Sequence, residues 1–179
     1  MKGYTNTFDS PCGPLICVVD EGGAVVRLAF GHGRDAQKIA GLTAANEVVE
    51  DAGRTAEVRR QLAEYFAGQR EDFDLALVPS GTPFELSVWE ELRRIPFGQT
   101  RSYADIARAL GKPAATRAVG RANGANPIAI VVPCHRVIAS NGDLKGYAWG
   151  LHRKRWLLEH EKAIPPRSTV TQTAAFPGF

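Results

Sequence analysis

A chain of 179 residues, 44% hydrophobic and 23% charged, is long enough to build one domain or two small ones around a real core, and too apolar for wholesale disorder. No apolar run approaches the length that crosses a bilayer, and MKGYTNTFDS has no hydrophobic segment after Lys2 of the kind that opens a secretory signal. The net charge of +3 conceals an asymmetry: residues 1–81 carry 8 Lys and Arg against 12 Asp and Glu, whereas residues 82–179 carry 14 against 7. That split directs the second half toward a polyanion, most simply nucleic acid. A cytosolic protein is expected, with Cys12, Cys17 and Cys134 left as thiols by a reducing compartment.

Residues 3–30 read as strands. Leu15 to Val19 is apolar and β-branched, Asp20-Glu21-Gly22-Gly23 is a turn, and Ala24 to Phe30 resumes, which predicts a hairpin. Between Gly31 and Gly53 the pattern predicts one short helix and a strand around Glu47-Val48-Val49. A helix follows with Thr55 at its N-cap, Val58, Leu62, Tyr65 and Phe66 on one face, and Gly68 closing it. Asp74 to Val78 reads as one more strand. Pro79-Ser80-Gly81-Thr82-Pro83 then breaks the pattern where the charge balance changes sign, so domains are expected at 1–80 and 81–164.

The second half opens with a helix capped by Thr82, with Pro83 in its first turn and Phe84, Val88, Leu92 and Ile95 on one face. Ser102 to Leu110 is a short helix in which Ser102 and Asp105 form a capping box. Gly111-Lys112-Pro113 turns the chain, and Ala114 to Asn123 forms a second helix of small residues carrying Arg117 and Arg121. Helix, tight turn and basic helix spell helix-turn-helix, and Ala118, Gly120 and Ala122 would let another backbone come close. A loop around Asn141-Gly142-Asp143 leads to a last helix, Leu151 to Glu161, with Trp156, Leu157 and His160 turned inward and Arg153-Lys154-Arg155 on a solvated face. The tail 165–179 has turn formers and no periodicity, so it is predicted disordered. Strands followed by helices make the fold class α+β.

The apolar run Ile128 to Val132 predicts a buried strand that ends at Pro133-Cys134-His135-Arg136-Val137-Ile138. A thiol becomes a nucleophile when a neighbour takes its proton, and an imidazole is the commonest such neighbour. Adjacent side chains on a strand face opposite ways, so Cys134 and His135 must lie at a bend to cooperate. A carboxylate should orient the imidazole, and spacing alone leaves Glu159 and Glu161 both open. Cys12 and Cys17 with His32 form too loose a set for a tetrahedral metal site, so no metal is expected.

Taken together and in order, Arg117-Ala118-Val119-Gly120, Asn126-Pro127, PCHRVI, Gly146-Tyr147 and Trp156-Leu157-Leu158-Glu159-His160-Glu161 resemble the O6-alkylguanine-DNA alkyltransferases. The resemblance is strong over 82–162 and extends in outline to the first half, where it implies a β-rich ribonuclease-H-like domain beside a mostly helical domain with the helix-turn-helix. It implies that Cys134 takes the alkyl group from O6 of guanine, and from O4 of thymine, in one self-inactivating displacement. His135 would receive the thiol proton through a water, with Glu161 holding His135. Tyr103 would hydrogen-bond or protonate the leaving base at N3 and help turn the 3′ phosphate, Arg117 would enter the stack as the nucleotide flips out, and Asn126 would brace the active-site turn. Ala118, Arg121 and Ala122 would lie against the duplex. Backbone groups of Cys134 and Val137 would read the guanine edge, the amide of Ala148 would face O6, and Tyr147 and Trp149 would line the pocket. The implied partner is double-stranded DNA carrying O6-alkylguanine, bound by a monomer, with cooperative assembly on DNA left open; no cofactor and no membrane are implied.

Trp149 departs from the small residue common at that position in this family, and an indole there is expected to narrow the pocket mouth. Two other readings compete. A lesion-binding module of this fold lacks the cysteine, which is present here. A cysteine hydrolase would leave both the charge asymmetry and the helix-turn-helix without a purpose.

Overall fold

The computed structural model describes residues 2–31 and 47–166. The first half is a four-stranded sheet in the order β3-β2-β1-β4, built from β1 (Lys2–Phe8), β2 (Leu15–Val19), β3 (Val25–Phe30) and β4 (Glu47–Glu50). β1–β2 and β2–β3 pair antiparallel and β4 joins β1 in parallel. All five residues of β2 are buried, as an unbroken apolar run in the middle of a sheet should be. The Asp20 carboxylate accepts from the amides of Gly22 and Ala24 and so closes the predicted hairpin turn.

Helix α1 (Ala56–Phe66) lays Val58, Leu62 and Tyr65 into the core. Thr55 precedes it, but its hydroxyl caps nothing and donates back to the carbonyls of Asp51 and Ala52. The strand expected at 74–78 is a single bridge, Leu77 beside Val25, because the segment reaches only the start of β3. Further along the same edge, Leu28 N–H donates to Pro127 O at 3.0 Å and Ala129 N–H donates to Leu28 O at 2.7 Å. The exposed edge of β3 is thus covered by the chain just ahead of Cys134, which ties the sheet to the helical half.

That half comprises α2 (Pro83–Arg93), β5 (Arg101–Ser102), α3 (Tyr103–Ala109), α4 (Thr116–Gly124), β6 (Val137–Ile138) and α5 (Leu151–His160), with β5 and β6 paired in parallel. Both predicted capping boxes are present, Thr82 with Glu85 and Ser102 with Asp105. The predicted helix 114–123 starts as a 3-10 turn, Pro113–Ala115, and becomes α-helical at Thr116. The fold is α+β, as expected.

Two further expectations fail. Ile128 to Val132 is buried but is no strand: it makes one bridge, at Ile128, and then a series of tight turns with Ile130 at φ 70°. Burial produces the apolar run, and an apolar run cannot by itself distinguish strand from coiled turn. Nor is Arg153-Lys154-Arg155 a solvated face. Lys154 is wholly buried, Arg153 folds over the Phe30 ring and donates to Cys12 O, and only Arg155, paired with Glu159, stays near solvent. The cause is rotational: Lys154, Leu157, Leu158 and Glu161 occupy i, i+3, i+4 and i+7, one inward stripe with ionic ends. His32, the helix expected between Gly31 and β4, and residues 167–179 lie outside the described residues.

Candidate active site

Cys134, His135 and Arg136 form one 3-10 turn after Pro133, the bend that a cooperating thiol and imidazole require. Asn126, at the end of α4, builds that bend. Its amide nitrogen donates to Val132 O at 2.8 Å, lies 3.3 Å from Ile128 O, and reaches Cys134 Sγ at 3.1 Å, while its oxygen accepts from Ile128 N–H at 3.0 Å. One side chain therefore pins both ends of the strained turn and touches the sulfur. A β-branched residue at positive φ, as Ile130 is, persists only where its surroundings over-determine it.

The resting charges follow from burial. Cys134 is 1% exposed, and burial pushes its thiol up to about 11 although the Asn126 contact and the Lys154 charge pull the other way. Burial likewise pushes His135 below its ordinary value, against the opposing pull of Glu161. For Glu161 burial alone would raise the pKa, but His135 and Arg136 outweigh it and hold the carboxyl well below the usual carboxylate range. These shifts favour a thiol, a neutral imidazole and a carboxylate.

Glu161 is the carboxylate that holds His135: its Oε1 lies 2.8 Å from His135 Nε2. Glu159 instead pairs with Arg155. Because an ionised carboxylate only accepts, Nε2 carries the proton and Nδ1 is left as the basic atom. Nδ1 is buried and has no protein partner. Arg136 clamps the same carboxylate through Nε at 2.8 Å and Nη2 at 3.0 Å and donates to Ile95 O, and Tyr65 O–H donates to Oε1 at 2.7 Å. Gly98, at φ +74°, lets the turn after α2 pass under the end of α5, where a Cβ would stand 3.1 Å from Glu161 O.

Around this centre, Tyr103 is half-buried at the start of α3 and donates to Lys145 O at 2.9 Å. Burial first, and the neighbouring Cys134 second, raise its phenol pKa. Val137 is buried with its carbonyl on Lys154 Nζ at 2.5 Å, and Lys154 also donates to Lys145 O at 3.1 Å. Tyr147 buries an unpartnered hydroxyl, Ala148 is exposed, and Trp149 stands edge-on to Tyr147 at 5.4 Å and to Phe30 at 6.1 Å. A cleft of about 350 Å³ between residues 143–145 and the start of α5 lies beside the site and does not include Cys134.

On α4, Arg117 and Arg121 are exposed one turn apart and Ala118 is partly exposed. Ala122 is a correction: it is 2% exposed and its carbonyl accepts from Trp89 Nε1 at 2.8 Å, because it shares the inward face with Val119. It cannot lie against DNA. Four residues without an expected site role also reach it: Tyr65, Arg136, Lys154 and Asn123, whose amide donates to Cys134 O at 3.3 Å. Arg136 sits inside the motif and was legible there; the other three look like ordinary core or surface positions. Among the described residues, no group of three His, Cys, Asp or Glu is placed to hold a metal. Nor, among them, is any helix long and apolar enough to cross a membrane.

Two family models match this chain: the ribonuclease-like domain of 6-O-methylguanine DNA methyltransferase over residues 4–79, and the DNA-binding domain of the same family over residues 83–163. The methylated-DNA–protein-cysteine methyltransferase of Methanosarcina acetivorans is 46% identical over 158 residues, covering 88% of this chain and 97% of its own. The Salmonella typhimurium protein of the same name is 46% identical over 156 residues, covering 85% and 91%. The structure of Mycobacterium tuberculosis OGT in complex with DNA matches with a TM-score of 0.78 at 44% identity, covering 91% of this chain and 94% of that one.

Proposed function

The chain belongs to the 6-O-methylguanine DNA methyltransferase family, and from that premise we propose that it repairs DNA by moving an alkyl group from O6 of guanine onto its own Cys134. The observation that carries this assignment is the buried turn in which Cys134 meets Asn126 and is followed by His135, itself held by Glu161. A thiol with a pKa near 11 is unreactive until a base takes its proton, and the free Nδ1 of His135 is the base on offer. The thiolate attacks the alkyl carbon, the S–C bond forms as the C–O6 bond breaks, and the guanine anion takes a proton from the Tyr103 hydroxyl, which exchanges its bond to Lys145 O for one to the base and is reprotonated through solvent by the proton His135 took from the thiol. The product cysteine is a thioether with no route back, so each molecule acts once.

Cys134 is almost fully enclosed, and the alkyl carbon is enclosed in a duplex, so the nucleotide must leave the stack. The exposed Arg117 fills the gap in this reading, with Ala118 and Arg121 against the backbone. Backbone groups of Cys134 and Val137 and the amide of Ala148 read the base, and O4-alkylthymine is a second substrate. The protein acts as a monomer in the cytoplasm. A lesion-binding module without chemistry is the weaker reading, because Cys134 is present and is followed in the same turn by His135, which Glu161 holds.

Peptide mass spectrometry after mixing with a duplex holding one O6-methylguanine tests this. A gain of about 14 Da on the Cys134 peptide, one event per molecule, with the guanine restored, is expected, since a methyl group replaces the thiol hydrogen, a net gain of one CH2. Tight binding with no mass change would leave a lesion sensor instead.

A further inference from the structure

Tyr65 comes from α1, in the strand-rich half, 96 residues before the carboxylate it touches. It is fully buried, ringed edge-on by Phe66, Phe97 and His160, and fixed at its backbone by His160 Nε2 at 2.8 Å from Tyr65 O. Packing alone would be met by phenylalanine. The hydroxyl is buried where a polar group must be satisfied, and it is aimed at the same Oε1 that accepts from His135.

We infer that Tyr65 is a positioning residue for alkyl transfer, its hydroxyl fixing Glu161 and limiting how strongly that carboxylate holds a proton on His135. This rests on the alkyl-transfer reading above. Oε1 serves three donors, His135 at 2.8 Å, Tyr65 at 2.7 Å and Arg136 Nη2 at 3.0 Å, so each draws on one oxygen's charge. Withdrawing the Tyr65 hydroxyl leaves more of that charge facing the imidazole and favours imidazolium. An imidazole that is already protonated cannot take the thiol proton. The other groups facing this pair are Arg136 and Cys134 from the 3-10 turn, Lys154 and His160 from α5, and Tyr147 from the loop before it. None of them changes when the hydroxyl alone is removed. The first half of the chain thereby reaches the reacting centre without contacting substrate.

The test compares the full-length wild type with Tyr65→Phe and with Phe66→Leu, which loosens the same aromatic cluster without touching the carboxylate. The His135 ring is titrated by nitrogen NMR without DNA, and single-turnover transfer from O6-methylguanine DNA is followed against pH. In Tyr65→Phe the His135 titration should move up by about half a unit to one unit, with the acid limb of the rate profile following it. Phe66→Leu should lower the unfolding midpoint and leave both where they were. An unmoved His135 titration in folded Tyr65→Phe, or a Tyr65→Phe that does not fold at all, overturns the proposal and makes Tyr65 a packing residue. The titration needs no substrate, so a wild type that fails to transfer would count against the alkyl-transfer reading and leave this one to its own result.

Discussion

The side-chain nitrogen of Asn126 stands 3.1 Å from Cys134 Sγ while also donating to Val132 O, so the nucleophile and the turn that presents it share one amide. A thiolate at that position gains a charge-assisted hydrogen bond that a thiol does not need. Asn126→Ala should therefore slow transfer by about tenfold to a hundredfold, the worth of a hydrogen bond to a charged group. It should also cost about 1–3 kcal/mol in urea unfolding, because Ile128 N–H and Val132 O lose a buried partner. Asn126→Asp should fare worse in rate, since a carboxylate would face the developing thiolate. A variant that keeps the wild-type rate while losing stability would reduce Asn126 to a structural brace.

Stability should form a plateau in pH with separate causes at each end. His135 and Glu161 have folded pKa values below their unfolded ones, so their contributions are complete at neutral pH and are lost on acidification. The His135 loss starts as pH falls below about 6.5 and the Glu161 loss below about 4.5, the ordinary values of the two groups. Cys134 and Cys17 have folded values raised to about 11 and about 12, so stability is lost as pH climbs past 9, the unfolded thiol value. Lys154, lowered to about 8, works against that alkaline loss between 8 and 10.5, where the unfolded chain still binds the proton it has released. Unfolding midpoints measured from pH 4 to 11 check this, and a Cys17→Ala, Cys134→Ala double variant should flatten the alkaline side.

Lys154 is the buried cation most open to test. Its ammonium bridges Val137 O to Lys145 O, joining the strand after Cys134 to the loop that carries Tyr147. Methionine fills the same stem volume and removes the three donors. Lys154→Met should cost about 1–3 kcal/mol for the orphaned Val137 carbonyl, offset in part by relief of a desolvated charge. The amides of residues 145–147 should exchange with solvent faster, and transfer should slow by about tenfold as the pocket loop loses its anchor. Unchanged exchange in that loop would show that Lys154 does not position it.

The elements that could be read from sequence are those whose signals are local. Caps at Thr82 and Ser102, the Asp20 turn and the 3.6-residue stripe of α1 each depend on neighbours within one or two turns. Cys134 and His135 were legible because motif and chemistry coincide in adjacent residues, and Asn126 and Glu161 because of their places in the family pattern. What escaped depends on distance along the chain. The contact of Tyr65 with Glu161 spans 96 residues and looks like core periodicity from either end. Lys154 escaped because a lysine on an inward stripe contradicts hydrophobic patterning, and only the carbonyls of 137 and 145 show why it is tolerated. Ile128 to Val132 misled in the opposite sense, since its burial comes from tight turns held by Asn126 rather than from a strand.

Trp149 sets the last expectation. Its indole stands edge-on to Tyr147 on one side and to Phe30 of β3 on the other, and its carbonyl accepts from Arg153. Whatever the indole fills is closed to substrate, and it also holds the Tyr147 ring in place. Methyl adducts should therefore be repaired faster than benzyl adducts, and Trp149→Gly should raise the benzyl rate relative to methyl by about tenfold, the scale of a hydrophobic pocket's discrimination. The same variant should lose about 1–3 kcal/mol, because two aromatic contacts and half-buried area go with the ring. Paired single-turnover rates on O6-methylguanine and O6-benzylguanine duplexes decide it. Equal rates in the wild type that stay equal in Trp149→Gly would mean that the indole serves the junction with the sheet and leaves substrate choice to other residues.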